Sequence, residues 1–133
     1  IVGISSRTDS EGAEALVALL QNRGMRARTA PTPEGVLHFK SDAASLDENT
    51  ILATARLADS GVFSDYTVVT VPAGEEAAAN AVRMGDTVVL PSGYPATREL
   101  LIDAGYSVTT VDNSEPAAID GGLSCMSLRI PAS

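Results

Sequence analysis

Apolar and polar positions switch between two periods along the chain, and each switch marks an element. Ile1-Val2-Gly3-Ile4-Ser5 reads as a buried strand, and Ser6 to Gly12 as a polar turn. Thr8 or Asp9 is placed to N-cap the next segment, with Glu11 in its first turn. Ala15, Leu16, Leu19 and Leu20 fall at helical spacing, and Gly24 is expected to stop that helix after Arg23. Met25 to Thr29 predicts a short strand, and Pro31, Pro33 and Gly35 a loop.

Val36 to Lys40 is again strand-like. Asp47-Glu48-Asn49 predicts a hairpin turn into a strand over Thr50 to Thr54, and Leu57 to Phe63 one short helix. Tyr66 to Val71 is a strand that Pro72 ends. Glu75 to Asn80 is alanine-rich and helical by propensity, while Asn80 to Met84 reads equally as a strand. Gly85-Asp86 would join that strand to Thr87–Leu90 as a two-residue hairpin. After the loop Pro91 to Pro95, a helix starts at Pro95, runs to Ala104 and ends at Gly105. Tyr106 to Val111 is a strand, and Ser114 caps a short turn through Ala118. Gly121 and Gly122 then allow a sharp turn before Cys125, and Met126 to Ile130 alternates like a strand. The order predicts an α/β chain of repeated β–β–α–β units, two complete and one partial, with nothing to close the sheets at either end.

The 133 residues suffice for one domain with a core. A net charge of −8 gives no basic footprint for nucleic acid and no polybasic membrane patch. A single cysteine excludes an internal disulfide and a Cys-rich zinc site. No signal peptide and no membrane-length apolar run is present, so a cytoplasmic location is expected. The start at Ile1, directly in a strand-like run, suggests a fragment or a processed chain.

The chemistry centres on Cys125 and His38, the only residues of their types. A lone cysteine and a histidine distant in sequence can meet in a fold as nucleophile and acid–base partner. Spacing alone leaves a small buried thiol as the preferred reading, because free cysteine is among the most buried residue types. Arg7, read alone, is a solvated loop arginine beside Asp9 and Glu11.

Several segments together resemble a known family. They are Ser6-Arg7-Thr8-Asp9 with Glu11-Gly12, Leu37-His38-Phe39-Lys40-Ser41, Val71-Pro72 and Ala79-Asn80-Ala81. Gly85-Asp86-Thr87-Val88, Pro91 to Pro95 and Gly121 to Arg129 complete the set. In this order they resemble the dimethylarginine dimethylaminohydrolases, guanidino-modifying enzymes of the pentein superfamily. The resemblance implies a five-bladed αβ propeller of ββαβ units, with residues 1–133 forming the C-terminal portion of one catalytic domain, about half of it. The acidic residues that orient the histidine and hold the guanidinium would then lie upstream of Ile1.

The same resemblance assigns roles. Cys125 is the nucleophile and His38 the proton donor and later the base. Arg7 grips the substrate α-carboxylate, and Ile119 offers a backbone carbonyl, although its side chain reads equally as core. Gly121 and Gly122 shape the turn, and Ser124 and Ser127 read as exposed strand serines. The substrate would be a methylated arginine, released as citrulline and a methylamine through a covalent thiouronium, with no metal or organic cofactor. Expected partners are that small molecule, the N-terminal part of the domain or a second chain supplying it, and a second copy in a homodimer. An arginine deiminase and a non-catalytic pentein-like module are the alternatives. Deiminases typically carry an aspartate two residues after this histidine. Lys40 stands there, which favours the dimethylarginine branch. The acidic pair Glu75-Glu76 reads as a solvated turn.

Overall fold

The computed structural model describes residues 1–128 and 130, which fall into two units, Ile1–Phe39 and Lys40–Ser133. In the first, β1 (Val2–Ile4) pairs in parallel with β2 (Thr29–Pro31) through α1 (Ser10–Gln21). Asp9 is the N-cap, its carboxylate accepting the Gly12 N–H at 2.7 Å. Gly24, at φ +78°, ends the turn after the helix, and the Met25 N–H returns to the Leu20 carbonyl. Gly3 sits where the backbone is approached closely, since a Cβ there would lie 2.9 Å from Thr32 Cγ2 and 3.2 Å from the Phe39 ring.

Three expectations change in this unit. The second strand is Thr29–Pro31 rather than Met25–Thr29, because the parallel register sets Ile4 opposite Pro31. β1 is half-buried rather than buried, and on α1 only Ala13 is buried, so Leu16 and Leu19 stay exposed. Val36 to Lys40 is no strand. Gly35 turns at φ +79°, the Val36 N–H bonds the Pro33 carbonyl, and α2 (Phe39–Asp42) begins one residue after His38.

The second unit holds two ββαβ repeats. In the first, β3 (Ala43–Ser45) is antiparallel to β4 (Thr50–Ala53), which after α3 (Ala55–Asp59) runs parallel to β5 (Thr67–Thr70). In the second, β6 (Val82–Met84) is antiparallel to β7 (Thr87–Pro91), which after α4 (Pro95–Asp103) runs parallel to β8 (Ser107–Val111). Gly85, at φ +59°, takes the first position of the two-residue hairpin, where only glycine sits without strain. The alanine-rich Glu76–Ala79 is a single 3-10 turn, and α5 (Ser114–Ala117) follows β8. Leu46, Leu52, Val71, Ala79, Val88, Leu90 and Leu101 form the core, to which both repeats contribute.

Among the described residues of Met126 to Ile130, none is in a strand. Residues 123–126 are a turn and 127, 128 and 130 are irregular, while Arg129 lies outside the described residues. Alternation alone does not make a strand without a neighbour to pair with. Side chains hold the turn that precedes it.

Candidate active site

Arg7 and His38 belong to the first unit, Ile119 and Cys125 to the second. In the first unit, β1 and β2 are parallel, so the segments leaving their C-terminal ends emerge at the same end of the pair. Arg7 lies on the segment after β1 and His38 on the one after β2, both exposed. The Arg7 backbone N–H bonds Ser5 Oγ at 3.1 Å, within a turn closed by the Ser5–Thr8 bridge. Among the described residues the Arg7 guanidinium pairs with neither Asp9 nor Glu11, which leaves its fork available.

In the second unit, β6 runs against β7 and β8. The start of β6 therefore lies at the same end of the sheet as the finish of β8. Asn80 stands two residues before β6, and the segment carrying Cys125 comes after β8, so the two converge. Asn80 Oδ1 accepts the Ser124 backbone N–H at 2.9 Å, and Asn80 Nδ2 points at Cys125 Sγ from 3.9 Å. Gly122 lets the backbone pass against this amide, because a Cβ there would come within 1.9 Å of Asn80 Nδ2. Asn113 Nδ2 donates to the Gly121 carbonyl, and Asp120 adopts φ +59° to make the bend. From α2, Lys40 Nζ donates to the Ser124 carbonyl while Ser124 Oγ donates to the Lys40 carbonyl, both at 3.4 Å.

Cys125 is exposed, which removes the buried-thiol reading. Ile119 is 77% exposed, so its side chain is not core. Ser124 lies in the turn, bonded as above, and is not a strand serine. Beside the loop lies a cavity of about 240 Å³, lined in part by Ser41, Asn80, Tyr94, Asn113, Asp120 and Gly122. Among the described residues no group of three His, Cys, Asp or Glu could hold a metal, and no helix is long and apolar enough to cross a membrane. Sequence reasoning placed Asn80 only within a matching segment. An amide that links the residues before a strand to a turn 44 positions away leaves no local pattern.

The repeats are blades of the pentein fold. An inosamine-phosphate amidinotransferase from Streptomyces griseus superposes with a TM-score of 0.74, covering 92% of this chain and 40% of that one, and at 18% identity this speaks for the fold alone. No family model matches the chain. Its relatives are narrower in kind. The dimethylarginine dimethylaminohydrolase of Pseudomonas aeruginosa is 41% identical over 128 residues, 96% of this chain and 50% of that protein. That of Streptomyces coelicolor is 30% identical over 131 residues, 97% and 49% of the two. A cysteine-to-serine mutant of the Pseudomonas aeruginosa enzyme complexed with citrulline superposes with a TM-score of 0.88 at 40% identity, over 96% of this chain and 50% of that one. A histidine-to-glycine dimethylarginine dimethylaminohydrolase, as its adduct with S-methyl-L-thiocitrulline, gives the same values. The chain is thus a relative of the dimethylarginine dimethylaminohydrolases and spans about half the length of the curated relatives it matches.

Proposed function

We propose that the chain is part of a cysteine-dependent hydrolase of N-ω-methylated L-arginine, with Cys125 as nucleophile. The observation that carries this is the exposed, braced thiol of Cys125 on a chain 41% identical to a dimethylarginine dimethylaminohydrolase. The two variant structures add support: their substituted cysteine and histidine are numbered as far apart as Cys125 and His38 are here.

A guanidinium carbon is a poor electrophile, and a thiolate is the strongest side-chain nucleophile near neutral pH. Cys125 Sγ adds to that carbon and gives a tetrahedral centre. His38, as imidazolium, protonates the departing amine as its C–N bond breaks, which leaves a thiouronium on Cys125. Neutral His38 then takes a proton from water, whose oxygen adds to the carbon. The C–S bond breaks and citrulline leaves. Arg7 binds the substrate α-carboxylate, and the Ile119 carbonyl contacts the substrate. Lys40, bonded to the cysteine loop, puts a cation where a deiminase would carry an anion, in keeping with a methylarginine substrate. The remaining blades, from the same polypeptide or another, supply the acidic groups, and residues 1–133 alone are inactive.

The test is dimethylarginine turnover by the complete polypeptide. Citrulline and dimethylamine are expected, and both should vanish in Cys125→Ser. Undiminished release by that variant overturns the reading, and ammonia in place of dimethylamine moves it to a deiminase.

A further inference from the structure

We propose that Asn80 is the positioning residue of the nucleophile, one side-chain amide that both fixes the cysteine loop and donates toward its sulfur. The inference rests on reading Cys125 as the nucleophile. Asn80 is only 7% exposed, yet it sits in no regular element, between the 3-10 turn and β6. A buried amide must satisfy its donors and its acceptor. Asn80 does so on the segment after β8: Oδ1 holds the N–H of Ser124, and Nδ2 faces Sγ of Cys125. The contact is made possible by Gly122, whose missing side chain is the space the amide fills. The amide therefore ties the entry of a blade to the turn that follows α5, and sets the sulfur by way of the residue before it.

The consequence is chemical as well as mechanical. An N–H directed at sulfur favours the thiolate over the thiol, and the thiolate is the reactive form. Lys40 braces the same loop from α2, and Asp120 bends it. Neither of them faces the sulfur as the Asn80 amide does.

Asn80→Asp keeps the size and the acceptor for Ser124 but puts an anionic oxygen where the donor stood. The complete polypeptide is treated with iodoacetamide across pH, and the peptide carrying Cys125 is followed by mass spectrometry. Alkylation at neutral pH is expected to slow about tenfold, because the group that holds the cysteine loop now turns an anionic oxygen toward the sulfur. An unchanged rate and profile overturn the proposal. Should the variant not fold, the unmutated protein serves. Alkylating Cys125 is expected to move the Asn80 side-chain amide resonances in a nitrogen-15 spectrum, and resonances that stay in place overturn the proposal. Neither readout uses turnover, so failure to hydrolyse methylarginine and failure of the Asn80 assignment are seen separately.

Discussion

The carboxylate of Glu75 accepts both the backbone N–H and the hydroxyl of Thr97, at 2.6 and 2.7 Å, and also the N–H of Ala96 at 3.1 Å. These are first-turn donors of α4, so a residue from the neighbouring repeat segment caps a helix whose own N-cap, Tyr94, makes no side-chain bond. The acid expected to lie in a solvated turn is thus a structural cap. Burial alone would push its pKa up, but the bonds from Thr97 and Ala96 outweigh that and hold it below the usual range. A lowered carboxylate contributes stability that is full above the unfolded pKa and lost as pH falls through the folded one. Glu75→Ala is expected to cost about 1 kcal/mol in urea unfolding at neutral pH, with the gap to the parent closing in acid. An equal loss at all pH values would contradict the cap.

Tyr106 and Asp47 make the second acid-sensitive link. Tyr106 Oη donates to Asp47 Oδ2 at 2.5 Å, and the Asn49 N–H bonds the other carboxylate oxygen at 2.8 Å. The Tyr106 hydroxyl, then the Asn49 N–H, hold Asp47 down to about 2 from 3.8. The carboxylate is depressed, so its contribution is complete above about pH 4 and disappears as pH falls toward 2. Tyr106→Phe is expected to lower the melting temperature at neutral pH and to raise the Asp47 pKa, which carboxyl NMR titration reads directly.

The repeat was legible because turn chemistry is local. Gly85-Asp86, Asp47-Glu48-Asn49 and Pro95 fixed hairpins and a helix start before any packing was known. Elsewhere composition and period misled. Val36 to Lys40 has strand composition, but the Gly35 turn and the onset of α2 at Phe39 leave it no ladder. Met126 to Ile130 alternates, but the segment before it is held by Asn80 and Lys40, which no period records. Cys125 and His38 stood out by rarity. Asn80 and Glu75 did not, because their partners lie 44 and 22 positions away.

The core and the exposed face of α1 should respond differently to truncation. Leu52 on β4 is fully buried, and Leu52→Ala is expected to cost about 2–5 kcal/mol. Leu19 is 63% exposed although its spacing marks it as core, and Leu19→Ala in the 133-residue chain is expected to stay within about 0.5 kcal/mol. Chemical denaturation of the two variants side by side checks both. A large loss at Leu19 would mean that the helix face is covered in solution.

Gly122 gives the sharpest test of the cysteine loop. A methyl group there would lie 1.9 Å from Asn80 Nδ2 and 2.3 Å from Cγ, far inside van der Waals contact, and Asn80 is too buried to swing away freely. Its φ is not positive, so the obstacle is the neighbour and not the backbone. Gly122→Ala is expected to cost about 1–3 kcal/mol, as overpacking does, and to break the bond from Ser124 to Asn80. Asn80→Gly removes the obstructing amide, so the double variant should be less destabilised than the sum of the two single ones. A double-mutant cycle by denaturation measures that coupling. Additive losses would show that Gly122 is required for some reason other than the amide packed against it.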